Sequence, residues 1–394
     1  MNILLVSHDF SVTGAPNSLL RQAKYFRDAG HSVDVLSLGN GPLQDRYIES
    51  GFCPKIIKNK FADIKRAWKH REHDYDFIIS NTTETYKAVD FLQRQNVPMV
   101  WFIRETKLVN DRSYKKPGFW QLFSKFYNIY TVSDYAAGIC RKYNPSVRVI
   151  NNAIADNFKK FKKPGKKIVF GYIGSIIPIK GIDVLLQSFT KLAKRNKNIE
   201  LHIAGNNETS FGKELQKYNI PQIKWLGEIQ GKDKEKFFNS IDVLVVPSID
   251  DPCPLTVIEG AMYGKPIITT DTVGSNYIVN KGQTGFVVKT SSVSDLYTSM
   301  SKITKMNLHD MGKQSRKMYL MYGTPDTERT AVLKMLNDNK DNYPKVKTKP
   351  LPTNKFYLFR KESYPNGKRE FYLCRLKVFT YQSQQKSSIS RNQN

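Results

Sequence analysis

The chain reads as an α/β protein of two parallel-sheet domains followed by a small β appendage. Apolar, β-branched runs alternate with segments of helical periodicity along most of the sequence, which is the pattern of parallel strands joined by crossover helices. The alternation occurs twice, over residues 1–155 and 166–322, and a basic stretch from Lys159 to Lys167 containing Pro164-Gly165 separates the halves. At 394 residues the chain is long enough for two or three cores.

In the first half, Asn2 to Ser7 is the opening strand and the chain then turns through His8, Asp9 and Gly14. Pro16 suits a first helical turn, Leu19, Leu20, Ala23 and Phe26 give that helix an apolar face, and Gly30 ends it. Gly14 feeding a helix N-terminus makes an anion-binding turn, although such turns are as often plain connections. Strands are predicted over 33–38, 77–80, 99–103, 129–132 and 147–150, with helices over 84–95 and 134–142. Arg104 and Glu105 end one strand; alone they read equally well as a surface ion pair.

The second half opens with a strand over 168–173 and the turn Gly174-Ser175-Ile176-Ile177-Pro178-Ile179-Lys180-Gly181 before a helix over 182–195. Glycine permits tight turning, and Lys180 with the helix N-terminus can meet a phosphate together. Strands over 199–204, 222–226 and 241–246 follow, with Gly205 and Gly227 at the ends of the first two. The run ending at Pro247 delivers a loop carrying Asp250 and Asp251, stiffened by Pro252 and Pro254. A helix from Leu255 to Tyr263 is closed by Gly264, and a strand over 267–270 leads to Gly274-Ser275, whose N–H groups can face a phosphate. A hairpin is read over 281–286, then helices over 293–304, 310–321 and 327–337. Ligands of open α/β sheets sit beyond the carboxyl ends of strands, so Asp251 and Glu259 can accept hydroxyl hydrogen bonds in one crevice. Taken alone, the two acids are a turn former and a solvated helix residue.

Asp251, seven residues, then Glu259-Gly260-Ala261 and Gly264-Lys265-Pro266-Ile267-Ile268 resemble the signature of retaining glycosyltransferases of family four. The resemblance covers about residues 1 to 335 and implies the GT-B fold, two Rossmann-like domains facing a central cleft. It implies an acceptor domain over 1–155, a donor domain over 166–322, and a last helix, 324–338, returning to the first domain. By this resemblance Asp251 contacts the donor sugar, Glu259 the ribose and Lys180 the diphosphate, and Arg104 stands where a His-Asp pair is usual. The implied donor set comprises Gly14, Gly174, Ser175, Lys180, Gly205, Asp251, Leu255, Thr256, Glu259, Gly274 and Ser275, with Lys180, Asp251 and Arg104 serving catalysis. The chain departs from the pattern at Asp251 for Glu, Ser175 for Arg, Tyr277 for Glu and Ala153 for Gly. The implied reaction moves a sugar from a nucleotide-sugar donor to a saccharide or lipid-linked acceptor with retention of configuration, in cell-surface polysaccharide synthesis and without a metal or other cofactor. Two rivals stay open: a nucleotide-sugar epimerase on the same fold, and a non-catalytic nucleotide-sugar-binding partner.

Net charge is +27, with 62 Lys and Arg against 35 Asp and Glu, so an anionic partner is expected. No zinc-finger or RNP-type motif supports specific nucleic-acid binding. No run of eighteen apolar residues predicts a transmembrane helix, the N-terminus reads as a strand rather than a signal peptide, and four scattered cysteines suit a reduced cytoplasm. Two clusters point to an inner-leaflet surface: Lys65, Arg66, Trp68, Lys69 and Arg71, and then Lys115, Lys116, Phe119, Trp120, Phe123, Lys125 and Phe126. In the second, helical spacing of the aromatics fits a helix lying in the interface, or equally a core-facing helix with a basic outer face. The tail, 340–394, is basic, opens with prolines and ends in a polar run; alternating segments over 355–359 and 370–381 flank Asn366-Gly367, a hairpin signal.

Overall fold

The computed structural model describes residues 1–57, 64, 68, 74–106, 118–162 and 165–341, and the backbone of three tail strands. Two parallel sheets organise the chain. The first contains Asn2–Ser7 (β1), Ser32–Ser37 (β2), Lys55–Ile56 (β3), Phe77–Asn81 (β4), Met99–Ile103 (β5), Ile129–Thr131 (β6) and Arg148–Val149 (β7). Their order is β3-β2-β1-β4-β5-β6-β7. The second contains Ile168–Ile173 (β8), Ile199–Ala204 (β9), Ile223–Trp225 (β10), Val243–Val246 (β11), Ile267–Thr270 (β12) and Gly285–Val288 (β13), in the order β10-β9-β8-β11-β12-β13.

Both orders reverse direction once. The chain builds outward from β1 to β3, then starts again on the other side of β1 with β4; β8 and β11 repeat the manoeuvre. A crevice therefore opens at the carboxyl ends between β1 and β4 and between β8 and β11. Both sheets are covered on two faces, so strands such as Val243-Leu244-Val245-Val246 are wholly buried rather than alternating. In the first domain one face packs Trp101 and Phe123, and the other packs Phe26, Phe77 and Val332. Val332, Met335 and Leu336 belong to the last helix, Pro325–Lys340, which lies on the first sheet's core although it follows the second domain in sequence.

Three readings are corrected. The segment 281–286 is not a hairpin: Gly285–Val288 pairs in parallel with β12 and extends the second sheet. The aromatics at 119–126 do not form an interfacial face. Phe119, Trp120, Phe123 and Phe126 are at most 5% exposed, and Trp101 meets the rings of Phe119, Phe123 and Phe126 at 5.7–5.9 Å. An apolar helical stripe fits a protein core and a lipid surface equally well, and here a short helix, Phe119–Phe123, turns it onto the sheet. Lys115 and Lys116, like Lys65, Arg66, Lys69 and Arg71, lie outside the described residues, while Trp68 packs against Tyr75 and Phe91. In the tail, the 370–381 segment divides in two: Phe359–Ser363 (β14), Lys368–Leu373 (β15) and Leu376–Gln382 (β16) form an antiparallel sheet. The Asn366-Gly367 turn lies outside the described residues. The helices Leu43–Glu49, Ser210–Glu214 and Gly231–Ser240 are additional to the predicted elements; the last buries only Phe237 and Phe238, too few to show a stripe.

Candidate active site

The loop after β8 and the loop after β11 meet at the switch point of the second sheet. Gly181 turns the first loop into the helix Ile182–Arg195 with φ +65°, and a Cβ there would lie 2.1 Å from the Pro247 carbonyl oxygen. Only glycine lets the two loops touch at this place. The Ile249 N–H donates to the Ile179 carbonyl at 2.8 Å, which locks them together. Lys180 Nζ consequently donates to Asp251 Oδ2 at 2.5 Å, although the residues are 71 positions apart.

The Asp251 loop is held from both domains. Its N–H donates to the Thr272 carbonyl, and its own carbonyl accepts from Gly274 N–H at 2.9 Å. From the first domain, Tyr135 Oη donates to Asp250 Oδ1 at 3.0 Å and Ser133 Oγ to the Pro252 carbonyl at 2.5 Å. Ser133 also caps the helix Asp134–Arg141 by accepting from Ala136 N–H. One cap thus positions a helix and ties the facing loop.

Across from Lys180 the wall comes from the first domain. Arg104 follows β5 and is buried; its Nε donates to Asn81 Oδ1 at 2.6 Å and its Nη1 to Asn152 Oδ1 at 3.2 Å. Burial lowers its proton affinity, bringing the guanidinium down to about 10. Glu105 does not pair with that guanidinium, and the two are not a surface ion pair. Its carboxylate accepts from Thr83 N–H, Thr83 Oγ1 and the Arg104 backbone N–H, while burial pushes its carboxyl upward.

Between these walls lies a cleft of about 420 Å³. Of the expected site residues it brings together Gly14, Arg104, Gly174, Ser175, Lys180, Asp251, Leu255 and Thr256. Four others are not among its lining. A Cβ on Gly205 would sit 2.2 Å from the Gly174 carbonyl oxygen, so Gly205 supports the phosphate-type turn from below. A Cβ on Gly274 would sit 1.8 Å from the Pro252 carbonyl oxygen, and Ser275 Oγ donates to the Pro254 carbonyl, so both brace the Asp251 loop. Glu259 lies on the helix Leu255–Met262, with Oε1 accepting from Lys234 Nζ at 2.6 Å and Oε2 buried without a partner.

Sequence reasoning missed Asn152 and Tyr172. Asn152 holds Arg104 from the interdomain junction, where its neighbours look like a linker. Tyr172 Oη donates to the Ser175 carbonyl at 2.8 Å and shapes the turn; its place inside a strand gave no signal. Tyr277, where the family pattern expects an acid, has its hydroxyl buried without a partner, and burial raises its proton affinity.

Two family models match in tandem: "Glycosyltransferase Family 4" over residues 12–158 and "Glycosyl transferases group 1" over 153–318. The capsular polysaccharide biosynthesis glycosyltransferase CapM of Staphylococcus aureus is 28% identical over 160 residues, 39% of this chain and 40% of that protein. The matches span between 35% and 53% of the length of the first curated relatives. HepE of Anabaena, solved in complex with UDP, superposes with a TM-score of 0.74 at 16% identity, over 86% of this chain and 100% of that one. TarM of S. aureus superposes with a TM-score of 0.68 at 12% identity, over 85% and 98% of the two chains. The fold is GT-B.

Proposed function

We propose that this GT-B chain, composed of a family 4 and a group 1 glycosyltransferase domain, moves a sugar from a nucleotide-sugar donor to a saccharide or lipid-linked acceptor. The observation that carries the reading is the meeting of Lys180 and Asp251 at the β8/β11 switch point, opposite the first-domain wall. Their mutual contact satisfies both groups until a donor arrives. Donor binding exchanges it for Lys180 on the diphosphate and Asp251 on a sugar hydroxyl. The helix beginning at Ile182 adds its N-terminal dipole to the leaving diphosphate. Glu259 offers its unpartnered oxygen to a ribose hydroxyl.

The donor-sugar bond to the diphosphate breaks as the acceptor oxygen bonds on the same face and its proton passes to the departing diphosphate oxygen, so configuration is retained. Positioning and charge stabilisation supply the acceleration. Lys180 and the helix dipole carry the leaving charge without a metal, and turnover is expected to persist in chelator. The setting is cell-surface polysaccharide assembly, which the likeness to CapM supports.

A thermal-shift screen of nucleoside diphosphates and nucleotide-sugars tests the reading. A ligand at about a hundred times its dissociation constant adds about 2.7 kcal/mol of stability. A stabilising donor is then offered acceptors, and the product anomer is read by NMR. No stabilisation by any nucleotide would sink the proposal; nucleotide binding without turnover would leave a binding partner.

The place of action we propose is the inner membrane face, from the cytoplasmic side. Among the described residues no helix is long and apolar enough to cross a membrane. The support is the net charge of +27, since each basic group near anionic lipid gains about 1 kcal/mol. Co-sedimentation with anionic vesicles at low and high salt, for the full chain and a chain ending at Asp341, is the test. No binding at low salt refutes it.

A further inference from the structure

We propose that the cleft accepts a sugar bearing an anionic substituent, a carboxylate or a phosphate ester additional to the donor diphosphate, and that Arg104 selects it. The inference rests on the nucleotide-sugar reading and names the substrate class within it.

The argument starts from where each charge finds its partner. Lys180 is matched by Asp251, and Arg21 by Glu328. Glu105 follows Arg104 in sequence but gives its carboxylate to Thr83 and to backbone N–H. Among the described residues the Arg104 guanidinium donates hydrogen bonds to two neutral amide oxygens, those of Asn81 and Asn152, and stands over the Phe102 ring, while its Nη2 is buried without a partner. A guanidinium stays protonated at neutral pH even when burial brings it to about 10. A buried charge hydrogen-bonded only to neutral groups is costly, and the Glu328 and Glu105 carboxylates offset that burial from a distance without pairing with it. Such an arrangement is maintained where a ligand supplies the missing charge.

Arg104 stands on the cleft wall beside Gly14 and Ala15, the first residues of the 15-residue helix Gly14–Asp28. Thr13 at its N-cap spends its hydroxyl on Ser11 Oγ and makes no capping hydrogen bond to the helix, so the dipole end is left to the cleft. A neutral sugar hydroxyl can accept one Arg104 N–H but leaves the charge unmatched. A carboxylate or phosphate matches the fork with two oxygens. The cleft then has two anion walls: Lys180 for the diphosphate and Arg104 for the second anion.

That anion can belong to the donor sugar or to the acceptor, and two arms separate these sources. In the first, calorimetry compares UDP-glucuronate and UDP-galacturonate with UDP-glucose and UDP-galactose. In the second, glucuronate and glucose 6-phosphate are compared with glucose at saturating UDP. Both arms use the full chain as wild type, Arg104→Gln and Arg104→Lys, each checked by thermal melt. We expect the anionic member to bind about tenfold or more tightly than its neutral counterpart in at least one arm. The preference should vanish in Arg104→Gln and persist in part in Arg104→Lys. Equal binding of neutral and anionic sugars by the wild type overturns the inference even if the variants do not fold. A preference that survives Arg104→Gln overturns it as well. If UDP, GDP, ADP and TDP all fail to bind, the underlying reading of the cleft falls first and takes the inference with it.

Discussion

Lys180 illustrates how one side chain serves folding and chemistry by different amounts. Its side chain is 29% exposed and, with the 9% exposed Asp251, lines an open cleft, so the contact adds little to stability, about 1 kcal/mol. Against a diphosphate in a closed cleft, the same charge is worth about 1.5–3 kcal/mol. Lys180→Ala should therefore lower kcat/KM for the donor by about 10- to 150-fold while the melting temperature hardly moves. Unchanged donor kinetics would remove Lys180 from the phosphate role. Glu259→Gln should fold normally but bind a nucleoside diphosphate less tightly, because a carboxylate accepts from a hydroxyl more strongly than an amide does; equal affinities by calorimetry would refute it. Lys265 carries a separate signature. It is 3% exposed, its Nζ donates to the Ile241 carbonyl, and burial depresses its titration from 10.5 to about 8. Between those values the unfolded chain holds more protons at this residue than the folded one. This group's contribution to stability thus rises as pH climbs from about 8 to 10.5. Lys265→Met should flatten the dependence of melting temperature on pH over that interval, and an unaltered slope would contradict the assignment.

At the scale of elements, glycine contacts decide which loops carry the site. Gly274 touches the Pro252 carbonyl, and its missing Cβ would also lie 2.2 Å from Ser133 Oγ. Gly274→Ala must shift the backbone of the loop carrying Asp251, so activity should fall with a loss of about 1–3 kcal/mol in stability. Gly138, inside the helix Asp134–Arg141, has nothing within 4 Å of its would-be Cβ. Gly138→Ala should raise stability by about 0.5–1 kcal/mol through the unfolded state and leave kinetics unchanged. Denaturant titration of the two alanine variants measures both, and a gain in neither or both would show that local packing is misread. The strands and longer helices were legible because their periodicity is local. The β12–β13 pairing was not, since turn residues at 281–285 precede a parallel strand as readily as an antiparallel one.

For the whole molecule, the last helix acts as a strap. Glu328 is 2% exposed and accepts from Arg21 Nε at 2.5 Å, Arg21 Nη2 at 2.9 Å and Tyr25 Oη at 3.0 Å. A buried carboxylate paired this fully cannot be neutralised cheaply, because Arg21 would remain charged without a partner. Glu328→Gln should cost about 3 kcal/mol. Since the helix begins after the second domain and ends on the first, the loss should appear in the unfolding of the first domain. A calorimetric trace with an unmoved first-domain transition would argue against the strap.

By itself the sequence determined the two alternating domains, the Lys180 and Asp251 loops, and the glycines that let those loops approach. Each follows from residue type and short-range spacing. It also ranked Arg104 among the site residues, but by position at a strand end rather than by its contacts. Only the tertiary structure decided that Arg104 makes no ion pair among the described residues, since that depends on where Glu105, Glu328 and Asp251 spend their oxygens. It likewise decided that Phe119, Trp120, Phe123 and Phe126 face a core, and that Gly205, Gly274 and Ser275 stand behind the cleft instead of lining it. Periodicity states that a face is apolar and glycine states that a backbone passes close. Neither names the neighbour, because the neighbour comes from a strand or loop tens of residues away.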